Sequence, residues 1–196
     1  MGDVKSALEI AMEKIEKLGK ATDEERLKWK YVPEGEKLAA RYLKQDCNLA
    51  LELNQYETAA RKYVIEGAND ILIRNISLPR NDLTKRNNKR AMEGLKNLKD
   101  DKVAVENTCS KMRHIFNHYT GQGEQQRKQA YESLKTEFEA KLQQAIQQQL
   151  GSSLRIRIDA EKQPQFQEEW RKIQAQLDSQ YLKLLDEYKQ ELSNIA

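Results

Sequence analysis

PQFQEEWRKIQAQLDSQYLKLLDEYKQELSNIA, residues 164–196, carries the most regular pattern in the chain. Phe166, Trp170 and Ile173 make an apolar triplet, which Leu177, Tyr181 and Leu184 and then Tyr188, Leu192 and Ile195 repeat at intervals of eleven residues. That period is ~3.67 residues per turn, close to the α-helical value, so the apolar seam runs almost straight along one helix opened by Pro164. Tyr131, Leu134, Phe138, Leu142 and Ala145 advance by the same steps of three and four. A matched helical hairpin is expected over 122–196, its polar faces supplied by 16 of the chain's 18 glutamines.

Between these helices Leu154, Ile156 and Ile158 alternate with Arg155 and Arg157, which predicts one short β-strand near 153–158. A lone strand exposes an unpaired edge, and a two-fold axis would supply an identical partner. The strand and the seam therefore predict a homodimer, with Phe166, Trp170, Ile173, Leu177, Tyr181, Leu184 and Tyr188 as the self-association surface.

Upstream, Ser77-Leu78-Pro79-Arg80 interrupts two long periodic runs, because proline lacks an amide donor and disfavours helix in the residue before it. The first run is expected from Pro33 to about Ser77, with Leu49, Leu53, Tyr56, Ala60, Tyr63, Gly67 and Ile71 along a coiled-coil-like seam. The second is expected from Asn81 to about Thr120, with Leu83, Ala91, Leu95, Leu98, Val105, Cys109, Met112, Phe116 and Tyr119 on its apolar arc. Together they predict a long antiparallel hairpin. Before it, a first helix runs from Asp3 to Gly19, and the Thr22/Glu25 capping box opens a short turn stopped by Pro33. The predicted organisation is thus 1–121, N-terminal helices plus a long hairpin, and 122–196, a second glutamine-rich hairpin.

Composition agrees with an all-α fold of two elongated hairpins, since 8 Gly and 3 Pro in 196 residues leave too few turn formers for a many-stranded sheet or a glycine-rich nucleotide loop. No apolar run approaches the ~18 residues of a transmembrane helix, and Glu9, Glu13 and Glu16 stand where a signal core would need apolar residues. Cys47 and Cys109 lie too far apart in sequence for a zinc or redox motif, so a reducing cytoplasm is expected.

Enzyme motifs are wanting. His114 and His118 share a helix face, but two ligands make an incomplete metal site, and Lys111 and Ile115 stand where a di-iron helix would need glutamate. Neither cofactor nor metal is expected. The charge is more telling: Arg74, Arg80, Lys85, Arg86, Lys89 and Arg90 against Asp82 alone place +5 around the Pro79 turn. Lys96 and Lys99 extend this stripe along the next helix. Such a basic tip can neutralise nucleic-acid phosphates, although no aromatic is interleaved from 74 to 90 for base stacking. The first expectation is a non-catalytic scaffold or adaptor that binds protein partners and itself; the second is a nucleic-acid-associated protein; a metal-dependent helical enzyme is third.

EKIEKLG and DEERLKWKYVPEGEKLAARYL, within Ala7 to Leu43, resemble a family of uncharacterised bacterial helical proteins labelled only as a domain of unknown function. The resemblance implies a bacterial cytoplasmic protein and no activity. In shape and charge the basic-tipped hairpin is also similar to the tRNA-binding arm of seryl-tRNA synthetases, an analogy of architecture alone.

Overall fold

The computed structural model describes residues 12, 22–45, 47–150 and 159–195. Helix accounts for 87% of them and no strand occurs among them, so the class is all-α. The strand expected near 153–158 lies outside the described residues, as does the first expected helix apart from Met12. Seven α-helices follow among the described residues: α1 (Asp23–Lys44), α2 (Leu49–Leu53), α3 (Thr58–Asn75), α4 (Asp82–Leu98), α5 (Lys102–Thr120), α6 (Gln122–Leu150) and α7 (Pro164–Asn194). They build two compact units. The first takes the described residues up to Ile76, Arg86–Glu106 and Ser193 onward; the second takes Ser77–Lys85 and Asn107–Leu192.

The first unit begins at the capping box expected from sequence: Glu25 N–H donates to Thr22 Oγ1 at 3.2 Å, and Thr22 N–H donates to Glu25 Oε2 at 2.8 Å. Pro33, expected to end this helix and open another, instead lies inside α1. An interior proline costs ~3 kcal/mol, but here it is on the exposed side, where water can take the carbonyl it leaves without a donor. The opposite side explains why the helix continues. Gly35, Leu38, Ala39 and Tyr42 are buried there against α3. At that crossing a Cβ on Gly35 would stand 2.0 Å from the Val64 carbonyl oxygen, and one on Gly67 would stand 2.1 Å from the Val32 carbonyl oxygen. Two glycines thus let two backbones touch, and the packing gained along both helices offsets the proline.

The run expected from Pro33 to about Ser77 is three helices. Asn48 stops continuation by capping α2, its Oδ1 accepting from Ala50 and Leu51 N–H at 3.0 and 3.3 Å. The inward face was legible in the main: Leu49, Leu53, Ala60, Tyr63 and Gly67 are buried, while Tyr56 and Ile71 of the same seam are half-buried. Ala91, Met92, Leu95 and Leu98 of α4 complete this core, whereas Leu83, expected on the same apolar arc, is exposed. The second expected run also divides, between Leu98 and Lys102, where Asp101 Oδ1 accepts from Ala104 N–H at 2.9 Å and starts a new helix.

In the second unit, Thr108, Cys109, Met112, Phe116 and Tyr119 of α5 are buried, as the arc of apolar spacing predicted for all but the threonine. Thr108 Oγ1 and Lys111 Nζ both donate to Glu191 Oε1, at 2.9 and 2.8 Å, and tie α5 to the end of α7. α6 and α7 meet through rings: Tyr131 lies 5.5 Å from Phe166 and 5.0 Å from Trp170, and Phe138 lies 5.6 Å from Phe166, all near-perpendicular. Gly123 of α6 lies against the Tyr181 hydroxyl of α7. The most buried residues of α7 are Phe166, Asp178, Leu185 and Leu192. The last three are seven apart. That step places a carboxylate in line with two core leucines.

Candidate anion site in the second unit

The site starts from the interrupted sequence at Ser77–Arg80. Leu78 and Pro79 are buried, and Arg80 N–H donates to the Leu78 carbonyl at 2.8 Å, a tight bend that turns the Arg80 side chain toward α7. Asn81 then caps α4 by a reciprocal pair, Thr84 N–H to Asn81 Oδ1 at 2.9 Å and Asn81 N–H to Thr84 Oγ1 at 3.1 Å. Arg80 Nη2 reaches Asp178 Oδ2 at 2.9 Å across 98 positions of sequence.

Asp178, 4% exposed, is held from three elements. Beyond Arg80, the Tyr119 hydroxyl at the end of α5 donates to Oδ2 at 3.4 Å, and Arg127 Nη1 of α6 stands 3.6 Å from Oδ1. Arg127 is fixed in turn: its Nη2 donates to the Tyr119 carbonyl at 3.0 Å and its guanidinium lies 4.0 Å from the Tyr119 ring centroid. Burial acts to lower the Arg80 pKa, but the Tyr119 hydroxyl and the Asp178 carboxylate outweigh it and hold the guanidinium above its ordinary value. Asp178 Oδ1 and Arg127 Nη1, both buried, have no hydrogen bond.

These groups border a pocket of about 770 Å³. Arg80, Lys85, Arg127 and Arg171 line it against Glu124 and Asp178, with Pro79, Tyr119 and Leu182 as apolar wall. Four cations against two carboxylates leave an excess of +2. Glu124 is engaged elsewhere: its bond to Lys128 at 2.9 Å, with the Lys128 charge and those of Arg127 and Lys85, holds its carboxyl below the usual glutamate range. Arg171 donates from Nε to the Gln167 carbonyl at 3.2 Å; the bond and charge of Lys172, and after them the charge of Arg171, hold the Glu168 carboxyl below the usual glutamate range.

Of the six basic residues singled out by sequence, two line the pocket. Arg80 and Lys85 enter this pocket, whereas Arg74, Arg86, Lys89 and Arg90 belong to the first unit. Arg74 pairs with Asp70 at 2.7 Å, Lys85 with Asp82 at 3.1 Å, and Arg90 donates to the Gln45 carbonyl at 2.7 Å. Lys96 pairs with Glu106 at 2.7 Å, and Lys99 is buried, its Nζ donating to the Ile195 carbonyl. Of the α7 seam, Phe166 is buried; Trp170, Ile173, Leu177, Tyr181 and Tyr188 are half-buried; Leu184 is exposed. His118 Nδ1 is 2.8 Å from the Tyr181 hydroxyl, and His114 is exposed. Among the described residues no group of three or more histidine, cysteine or acidic side chains can hold a metal ion, and no helix is long and apolar enough to cross a membrane.

Arg127 and Arg171 escaped the sequence reading because Glu124 and Glu168-Glu169 beside them cancel the local positive charge, and Asp178 because it stands alone in a neutral stretch. The one signal was Asp178 itself, seven residues before Leu185 and fourteen before Leu192.

Residues 50–194 match the family of unknown function DUF6657. The chain belongs to this family. The match holds both Asp178 and every cation of the pocket, and it begins after Ala7 to Leu43, the stretch on which the resemblance rested. No curated protein and no solved structure matches the chain.

Proposed function

We propose that the protein is a non-catalytic helical adaptor whose second unit receives an anionic group of a partner or ligand in the Arg80–Arg127–Arg171 pocket. The observation that carries this reading is the lining, four cations around one buried carboxylate. Guanidinium groups stay protonated throughout the physiological range, so they supply charge and directed hydrogen bonds but no proton transfer, which favours binding over catalysis. A bacterial cytoplasmic setting, implied by the resemblance, is part of the same proposal. The test is titration of the full chain with phosphate, sulfate and citrate, followed by amide chemical shifts. Shifts at Arg171, Gln174 and Glu124 are expected with at least one anion and are lost in Arg127→Gln/Arg171→Gln; silence with all three refutes the pocket.

Self-association through α7 belongs to the same proposal and is supported by Leu182 and Leu184, 42% and 41% exposed. Light scattering of wild type and Leu184→Asp tests it, with a dimer in the first and a monomer in the second as the expected result. The nucleic-acid reading is supported by Arg86 and Lys89, exposed and without a partner among the described residues. A mobility shift at low salt that disappears in Arg86→Gln/Lys89→Gln would favour it.

A further inference from the structure

Resting on the anion-pocket reading, we infer that the group bound is a phosphate that still carries a proton, recognised by Asp178 at the pocket floor. The pocket's excess positive charge would serve any anion, but its floor would not. Asp178 Oδ1 is a buried acceptor without a donor, and Arg127 Nη1, 3.6 Å away, is a buried donor without an acceptor. A hydroxyl set against both atoms satisfies both, accepting from Nη1 and donating to Oδ1. In hydrogen phosphate the P–OH does this while the remaining oxygens accept from Arg80 and Arg171, both of which line the pocket.

Acceptor-only oxyanions meet the opposite situation. Sulfate, or the phosphodiester of a nucleic acid, has no proton to give, so its oxygen lone pairs would face a buried carboxylate. Reaching Oδ1 requires Arg80 to turn aside with the anion, and its side chain, 63% exposed, has the room. The pocket of about 770 Å³ admits an ester as well as free phosphate. The shared chemistry is a P–OH beside at least one charged oxygen.

The experiment is calorimetric titration of the full chain at pH 6.0 with inorganic phosphate, methyl phosphate, dimethyl phosphate and sulfate. At that pH inorganic phosphate keeps a P–OH, and a monoester, losing its last proton near pH ~6, keeps it in about half its molecules. Phosphate and methyl phosphate are expected to bind; sulfate and dimethyl phosphate are expected to be weaker by a factor of ~10 to 100. The larger charge of sulfate predicts the reverse order if charge alone decides. Whichever of inorganic and methyl phosphate binds more tightly names the natural form, free or esterified. Asp178→Asn, which places an amide donor at the floor, should bring sulfate within about threefold of phosphate; the wild-type series decides even if this variant does not fold. Sulfate or dimethyl phosphate binding less than tenfold weaker than phosphate overturns the inference and leaves the anion pocket standing. Absence of binding by all four anions overturns both.

Discussion

The two units place different chemistry at their centres. In the first, α1 and α3 meet at Gly35 and Gly67 with backbone against backbone, and Leu38, Ala39, Val64 and Ala68 close around the contact. In the second, α5, α6 and α7 converge on Asp178, a carboxylate held by two arginines and a tyrosine beside an open pocket. A glycine crossing tolerates nothing larger. A buried charge cluster adds little net stability, because desolvating the ions consumes most of their attraction, but it fixes a constellation of polar groups in place. The difference separates a unit that packs by shape from a unit that keeps a charged cluster beside a pocket.

The comparison breaks most easily at Gly35. An exposed helical glycine gains up to ~1 kcal/mol on replacement by alanine. Here the new Cβ would meet the Val64 carbonyl, a backbone atom that cannot turn away, so Gly35→Ala should instead cost about 3 kcal/mol or more in urea unfolding. A neutral or stabilised variant would mean the helices do not cross at this residue.

Next in size, Asp178→Ala should cost about 3 kcal/mol, because it leaves Arg127 buried without its carboxylate. The loss stays at the low end of the range for buried pairs, since Arg80 is partly solvated. Combining Asp178→Leu with Arg127→Met should recover most of the stability while abolishing anion binding. Recovery of both, or of neither, would deny that the second centre gives up stability for binding.

A smaller contrast tests the orientation of α7. Leu185 is buried and Leu184 is exposed, so Leu185→Ala should cost about 2–3 kcal/mol and Leu184→Ala less than ~1 kcal/mol in the monomer. Equal losses would return the helix to the register of the eleven-residue repeat.

The smallest effect concerns Lys99 in the first unit, 8% exposed. Burial holds its ammonium pKa below the ordinary 10.5. The folded state therefore releases this proton at lower pH than the unfolded state does, and its charge opposes folding at neutral pH. Wild type should gain stability relative to Lys99→Met as pH rises through the folded pKa toward 10.5, by less than ~1 kcal/mol. A difference between the two proteins that stays flat from pH 7 to 10 would place the ammonium in solvent.

Much of this was legible beforehand, and the reason differs by residue. Val105, Cys109, Met112, Phe116 and Tyr119 are all buried because amphipathic spacing reports directly which side of a helix avoids water. The same signal was incomplete on α7. Periodicity counts apolar residues at their expected steps only, so it included Phe166 and Leu192, which are buried, but passed over Asp178 and Leu185, which are buried too. The helix breaks at Gln45–Asn48 and at Lys99–Asp101 were invisible for a related reason. Asn48 and Asp101 can sit mid-helix or cap one, and only the packing of the flanking leucines chooses.

By itself the sequence determined the all-α class, the capping box at Thr22 and the inward faces of most helices, because helix propensity, capping and amphipathicity act between residues three or four apart. Tertiary structure alone decided that Pro33 stays inside a helix, that Gly35 is a contact rather than a flexible joint, and that Arg80 joins Arg127 around Asp178. Each depends on a group supplied from a distant segment: the Val64 carbonyl from α3 for Gly35, and the carboxylate of Asp178 for Arg80. A charge in the core is unfavourable until its partners arrive, and the spacing of residues along one helix carries no information about what another segment will bring to it.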